Sequence, residues 1–104
     1  MAAKEPKPIF RLRHSLTHGN IWLAALCLMK RRKVYAYALP EEIERAFSYK
    51  PSKLMTYFVL YKLESEGLIA SRFEGRRKYY ELTAGGRRAL SYGKSFLLSL
   101  SKKL

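Results

Sequence analysis

The sequence predicts a mainly α-helical domain with a small β-hairpin, a winged helix-turn-helix followed by a C-terminal dimerisation helix. Three observations carry this reading. Apolar residues recur with helical period in three segments before residue 68. Two β-prone runs rich in aromatic and charged residues then flank a Gly-Arg-Arg turn, and from residue 84 onward the helical period returns. A chain of 104 residues with 48% hydrophobic residues has room for one core and no second.

The elements follow in order. Residues 1–16 read as a basic N-terminal arm in which Lys4, Lys7, Arg11 and Arg13 outnumber Glu5, with Pro6 and Pro8 expected to block early helix formation. The first helix spans Ile21 to Arg32. Trp22, Ala25, Leu26 and Met29 make one apolar stripe, and Thr17 or Asn20 is positioned to cap it. Val34 to Leu39 is either a brief strand or the entry to a second helix. In that helix Pro40 suits the first turn, Glu41, Glu42 and Glu44 favour the positive end, and Leu39, Ile43 and Phe47 (or Ala46) face inward. Ser52 caps a third helix running to Glu66. Its core side is given by Met55, Val59, Leu60 and Leu63, with Leu68 beyond, and Gly67 stands where a C-terminal glycine belongs. The opposite face carries Lys53, Thr56, Tyr57, Tyr61 and Lys62. Strands Ile69 to Glu74 and Lys78 to Leu82 flank Gly75-Arg76-Arg77, and Thr83 caps a last helix whose start, with Gly85 and Gly86, is expected to be loose. The chain thus divides into the arm (1–16), a winged helix-turn-helix (17–83) and a C-terminal helix (84–104).

Charge gives an independent signal. Lys and Arg number 21 against eight Glu and no Asp, a net charge of +13. Residues 1–33 hold eight cations and one acid, residues 69–104 nine and two, and the middle is slightly acidic. A polyanionic partner, double-stranded DNA above others, fits this distribution. The longest apolar run, Ile21 to Met29, is too short to span a bilayer, and Met1 to Pro8 does not read as a signal peptide. The expected location is therefore cytoplasmic and nucleoid-associated, with no membrane partner. One cysteine, Cys27, excludes an internal disulfide and reads as a small buried apolar residue. No Asp or Gln and a single Asn, beside many Glu, Lys and Arg, is the amide-poor pattern of thermophile proteins.

His18-Gly19-Asn20, Val34 to Leu39, Tyr57 to Glu64 followed by Glu66-Gly67-Leu68-Ile69, and Arg77 to Thr83 with Gly86-Arg87 resemble the PadR-like family of transcriptional regulators over roughly residues 18–90. The resemblance implies a dimeric winged-helix repressor. Ser52 to Glu66 would be its recognition helix, Glu74 to Lys78 its wing, and the C-terminal helix its dimerisation element. The chain departs from the family pattern at Met55-Thr56-Tyr57-Phe58, where Thr-Val-Tyr-Pro is frequent. Members with a short C-terminal region can also hold a small apolar effector between subunits, and no residue here identifies one.

Candidate site residues follow from these readings. On the recognition helix they are Ser52, Lys53, Thr56, Tyr57, Tyr61 and Lys62, with Lys53, Thr56 and Tyr57 at the end that reaches base edges. Tyr57 and Tyr61 face either outward or the core edge. On the wing they are Arg72, Arg76, Arg77 and Lys78, for phosphates or a narrow minor groove. Arg11, Arg13, Lys33 and Tyr35 are expected on the DNA backbone. Leu90, Gly93, Leu97, Leu100 and Leu104 recur at heptad spacing, with Phe96 beside them. Either the chain's own first helix or a second subunit must cover that seam. The reading favours the subunit, with Gly93 near the two-fold axis. His14 and His18 stand four apart, but the segment is not expected to be helical, and no metal, cofactor or catalytic constellation is read. The alternative to a sequence-specific regulator is an architectural or RNA-binding protein using the same basic surface.

Overall fold

A computed structural model describes residues 4–104. Among the described residues five α-helices and three strands are formed: α1 (Lys7–Leu16), α2 (Ile21–Arg31), β1 (Val34–Tyr35), α3 (Leu39–Phe47), α4 (Lys53–Ser65), β2 (Ile69–Glu74), β3 (Arg77–Leu82) and α5 (Ala84–Lys103). The fold is mainly helical, with a small antiparallel sheet in the order β1-β3-β2.

The N-terminal segment departs from expectation. Residues 1–3 of the expected arm lie outside the described residues, and most of the remainder is helix α1. Pro6 occupies its N-cap and Pro8 lies in its first turn. Those backbone positions have no intrahelical acceptor, so proline starts a helix there instead of blocking it. His14 is therefore helical, and its ring stacks between Phe10 and His18, which in turn meets Tyr49 edge-on. The lone asparagine fastens this segment to α2. Asn20 donates to the Ser15 carbonyl at 2.5 Å and accepts from the Trp22 indole at 3.0 Å. It caps no α2 amide, and the Thr17 hydroxyl donates to the Arg13 carbonyl of α1 instead.

Helix α2 is the centre of the core. Its Ala25 and Leu26, together with Leu39 and Ile43 of α3, have no solvent exposure, and Val34, Leu60, Ile69 and Tyr80 close around them. Val34 to Leu39 satisfies both alternatives in turn, as a two-residue strand and then a 3₁₀ turn (Ala36–Ala38) leading into α3. On α3, Phe47 and Ala46 are exposed, while Glu42 is buried and pairs with Arg32.

Helix α4 starts as its sequence says, the Ser52 hydroxyl accepting from the Met55 amide at 3.1 Å. It ends in a Schellman turn with Gly67 at φ +74°, the Leu68 amide donating to the Leu63 carbonyl. One face assignment is corrected. Thr56 is 1% exposed and donates to the Ser52 carbonyl, while Met55 is exposed. The inner stripe is Thr56, Leu60 and Leu63, which turns Met55 outward by about 100°.

The hairpin turn is Gly75-Arg76 alone, with Glu74 opposite Arg77. Gly75 has positive φ and Arg76 does not, the pattern of a turn that matches strand twist. Arg77 thus belongs to β3, not to the turn. Thr83 accepts from the Gly86 amide at 3.1 Å, so the start of α5 is capped. It is also closely seated, because a Cβ on Gly86 would fall inside the carbonyl oxygen of Leu68.

Candidate nucleic-acid interface

The strands place alternate side chains on opposite faces of the sheet. Tyr80 of β3 turns into the core, and Arg77 and Tyr79 turn out, beside Tyr35 of β1. The outer faces then build a strip. Tyr79 lies 5.7 Å from Tyr35, and Tyr35 lies 6.1 Å from Tyr37. Each ring carries a cation: Lys33 over Tyr79 at 5.0 Å, Arg77 over Tyr35 at 5.0 Å, and Lys53 over Tyr37 at 4.3 Å. Lys53 also donates to the Tyr37 hydroxyl at 3.1 Å. That hydrogen bond, with the nearby negative potential of the tyrosine oxygen, holds the Lys53 ammonium above the usual lysine range. The strip therefore runs from the first residue of α4 to the base of the wing, alternating tyrosine with positive charge. Cations pinned on aromatic rings keep their charge in solvent while losing little freedom on binding, which suits a phosphate backbone.

Of the sequence-assigned residues, Lys33, Tyr35, Lys53 and Arg77 meet in this strip. Tyr57, Tyr61 and Lys62 are exposed on α4, with Ser52 at its cap. Thr56, being buried, is not part of the outer face. The four wing cations do not form one cluster. Arg72 pairs with Glu81, Arg76 stands at the turn, Arg77 lies over Tyr35, and Lys78 points to the other face between Phe73 and Tyr80, while Lys33 of the strip pairs with Glu74. Neighbouring strand residues face opposite ways, so a run of consecutive cations splits across the sheet. Arg11 and Arg13 sit on α1, where Arg13 pairs with Glu5 at 3.0 Å, and no described contact joins them to the strip. Sequence reasoning missed Tyr37, Leu54 and Phe58. The last two were legible as a second stripe with Tyr57 and Tyr61, at positions i, i+3, i+4 and i+7.

The C-terminal seam is also corrected. Leu90 belongs to the chain's own core, and a Cβ on Gly93 would meet the Trp22 ring at 3.1 Å and Leu23 at 3.2 Å. Gly93 therefore serves the packing of α5 on α2 of the same chain and not an approach to a two-fold axis. Leu97 is half-buried at a hollow shared with Leu16, Leu23 and Cys27. Of the residues assigned to the seam, Phe96, Leu100 and Leu104 are exposed, and Leu98 is exposed beside them. Helix α5 packs on its own chain as far as Leu97, and residues 98–104 are exposed.

Residues 25–92 match the model of the transcriptional regulator PadR-like family. The chain belongs to the PadR-like family. A search of curated proteins found no match. Among solved structures, the chain is similar to a PadR family transcriptional regulator from Eggerthella lenta, at 25% identity and TM-score 0.79, covering 91% of this chain and 87% of that one. A PadR family regulator from Clostridium difficile is similar at 22% identity and TM-score 0.74, covering 80% and 92%. A transcriptional regulator from Clostridium thermocellum is similar at 24% and 0.74, covering 86% and 92%. A PadR-like chain is a DNA-binding transcription regulator and not an enzyme. Among the described residues no helix is long and apolar enough to cross a membrane.

Proposed function

We propose that this PadR-like chain is a sequence-specific repressor that binds a pseudo-palindromic DNA operator as a homodimer, in the cytoplasm and associated with the nucleoid. The observation that carries the proposal is the tyrosine–cation strip joining the start of α4 to the wing. A recognition helix presents its N-terminal residues to base edges while flanking groups hold the backbone, and the strip supplies such groups at that end. Lys53 and Tyr57 stand at the reading end, and Tyr61 and Lys62 one turn further on. Repression is the role the family resemblance implies.

The dimer reading rests on two uncovered faces. Helix α1 buries none of its residues, and Ile9, Phe10, Leu12 and Leu16 are all exposed. The distal part of α5 exposes Phe96, Leu100 and Leu104. A two-fold pairing of these faces covers both and sets two recognition helices for half-sites one DNA turn apart.

Selection of bound sequences from random double-stranded DNA, at stated salt, tests the proposal. A consensus with an inverted repeat supports it. Equal binding of all sequences, or preference for RNA, favours an architectural or RNA-binding role for the same basic surface. The wing gives a second test. Arg76→Ala with Arg77→Ala should weaken specific and random DNA alike and flatten the log–log salt dependence by up to ~2 units, since each phosphate contact contributes about 0.9. An unchanged slope places the wing away from DNA.

A further inference from the structure

We infer that α4 recognises thymine, taking up the C5-methyl groups of the major groove on Leu54 and Phe58. The inference rests on the DNA-binding reading above and names what the recognition helix selects. Its ground is what the outer face of α4 offers. Leu54 is 78% exposed, Phe58 52% and Tyr61 73%, and these three share one side of the helix with Tyr57 at its edge. Large apolar side chains stand in solvent here, although the core is complete without them.

The same face lacks the usual readers of other bases. Between Lys53 and Lys62 there is no Arg, Asn, Gln, Asp or Glu, so the helix has no bidentate partner of the Arg–guanine or Asn–adenine type and no carboxylate for cytosine. Lysine can reach guanine, but Lys53 is drawn aside by the Tyr37 hydroxyl, and the Lys62 ammonium lies 5.2 Å over the Phe58 ring. Further along, Glu64 accepts from the Ser71 hydroxyl at 2.5 Å, engaged with the wing. Tyr57 and Tyr61 add single hydroxyls, which can donate or accept and so select no one base, and what remains to discriminate on this face is shape and apolar contact. In the major groove thymine alone among the four bases presents a methyl group. The groove is about as wide as one helix, so a helix seated in it turns this apolar side towards the base edges.

The experiment uses the full chain and two random duplex pools, one with thymine and one with uracil in its place in the randomised region. Sites selected from the thymine pool should carry thymines at the centre of each half-site. Replacing one such thymine by uracil removes only the methyl and should weaken binding about fourfold, the worth of one buried methyl-sized group. Leu54→Ala and Phe58→Ala remove exposed side chains, so the fold persists. They should reduce this thymine-over-uracil preference, read for each variant as the ratio of its affinities for the thymine and uracil forms of one site. If a consensus emerges but uracil is accepted equally, the inference is overturned and the regulator reading stands. If the two variants keep the full preference, Leu54 and Phe58 are not the readers. If neither pool yields a consensus, the sequence-specific reading itself falls, and this inference with it.

Discussion

Gly86→Ala should destabilise the domain by about 1–3 kcal/mol, the range for overfilling a closed site, whereas Gly85→Ala, one residue earlier, should stabilise it by roughly 0.5–1 kcal/mol. Both glycines lie in the first turn of α5, where alanine is the better helix former. They differ in what their missing side chains would meet. At Gly85 the nearest atom is the Gly67 carbonyl oxygen at 3.5 Å, an ordinary contact. At Gly86 the added carbon would overlap the Leu68 carbonyl and stand 2.6 Å from Leu82 Cδ1. A backbone carbonyl cannot rotate away as a side chain can, so α5 must lift from the end of the hairpin. The overlap thus outweighs the gain in helix propensity, and DNA binding should weaken with it because the wing is anchored at the same place. Urea midpoints of the two variants against the parent chain provide the measurement. Equal midpoints for Gly86→Ala and the parent would show that α5 is not seated on Leu68.

The second large effect concerns assembly. Leu100→Glu should convert a dimer at micromolar concentration into monomers. Enclosing an unpaired carboxylate costs several kcal/mol, and ~3 kcal/mol already raises a dissociation constant more than a hundredfold. Leu100 is preferable to Leu97 for this test because Leu97 is half-buried against its own chain, where a charge would disturb the protomer itself. Light scattering reports the mass and circular dichroism shows whether the protomer keeps its helices. Affinity for a two-half-site operator should fall towards that for a single half-site. A folded Leu100→Glu variant that stays dimeric removes the distal part of α5 from the interface.

Most of the helical boundaries were legible because the signals are local. Ser52 and Thr83 cap helices through their own hydroxyls, Gly67 closes α4 through its backbone freedom, and the stripe of Trp22, Ala25, Leu26 and Met29 needs only the helical period. The misreadings have local causes too. Pro6 and Pro8 look like breakers until their position in the first turn is known. Met55 and Thr56 are neighbours whose inward order depends on which residue opens the stripe, and a shift of one position exchanges their faces. Leu90, Gly93 and Leu97 keep heptad spacing whether the partner helix lies in the same chain or another, so periodicity alone could not say which.

The sequence by itself determined the order of the helices and the hairpin from α2 onward, the single core, the capped starts of α4 and α5, and the excess of positive charge at both ends of the chain, because each depends on neighbours a few residues apart or on composition. Tertiary structure alone decided which charged and aromatic groups work together. Tyr35 and Tyr37, Lys53, and Tyr79 come from three separate segments and become a strip only when β1 pairs with β3 and the start of α4 is set beside them. It also decided that Arg72 and Arg77 share one face of the hairpin, Lys78 the other, and Arg76 the turn, and that α5 is seated on its own chain as far as Leu97 while its last residues are left bare. Such assignments depend on chain crossings and close approaches between distant residues, and a linear pattern carries no distance across the fold.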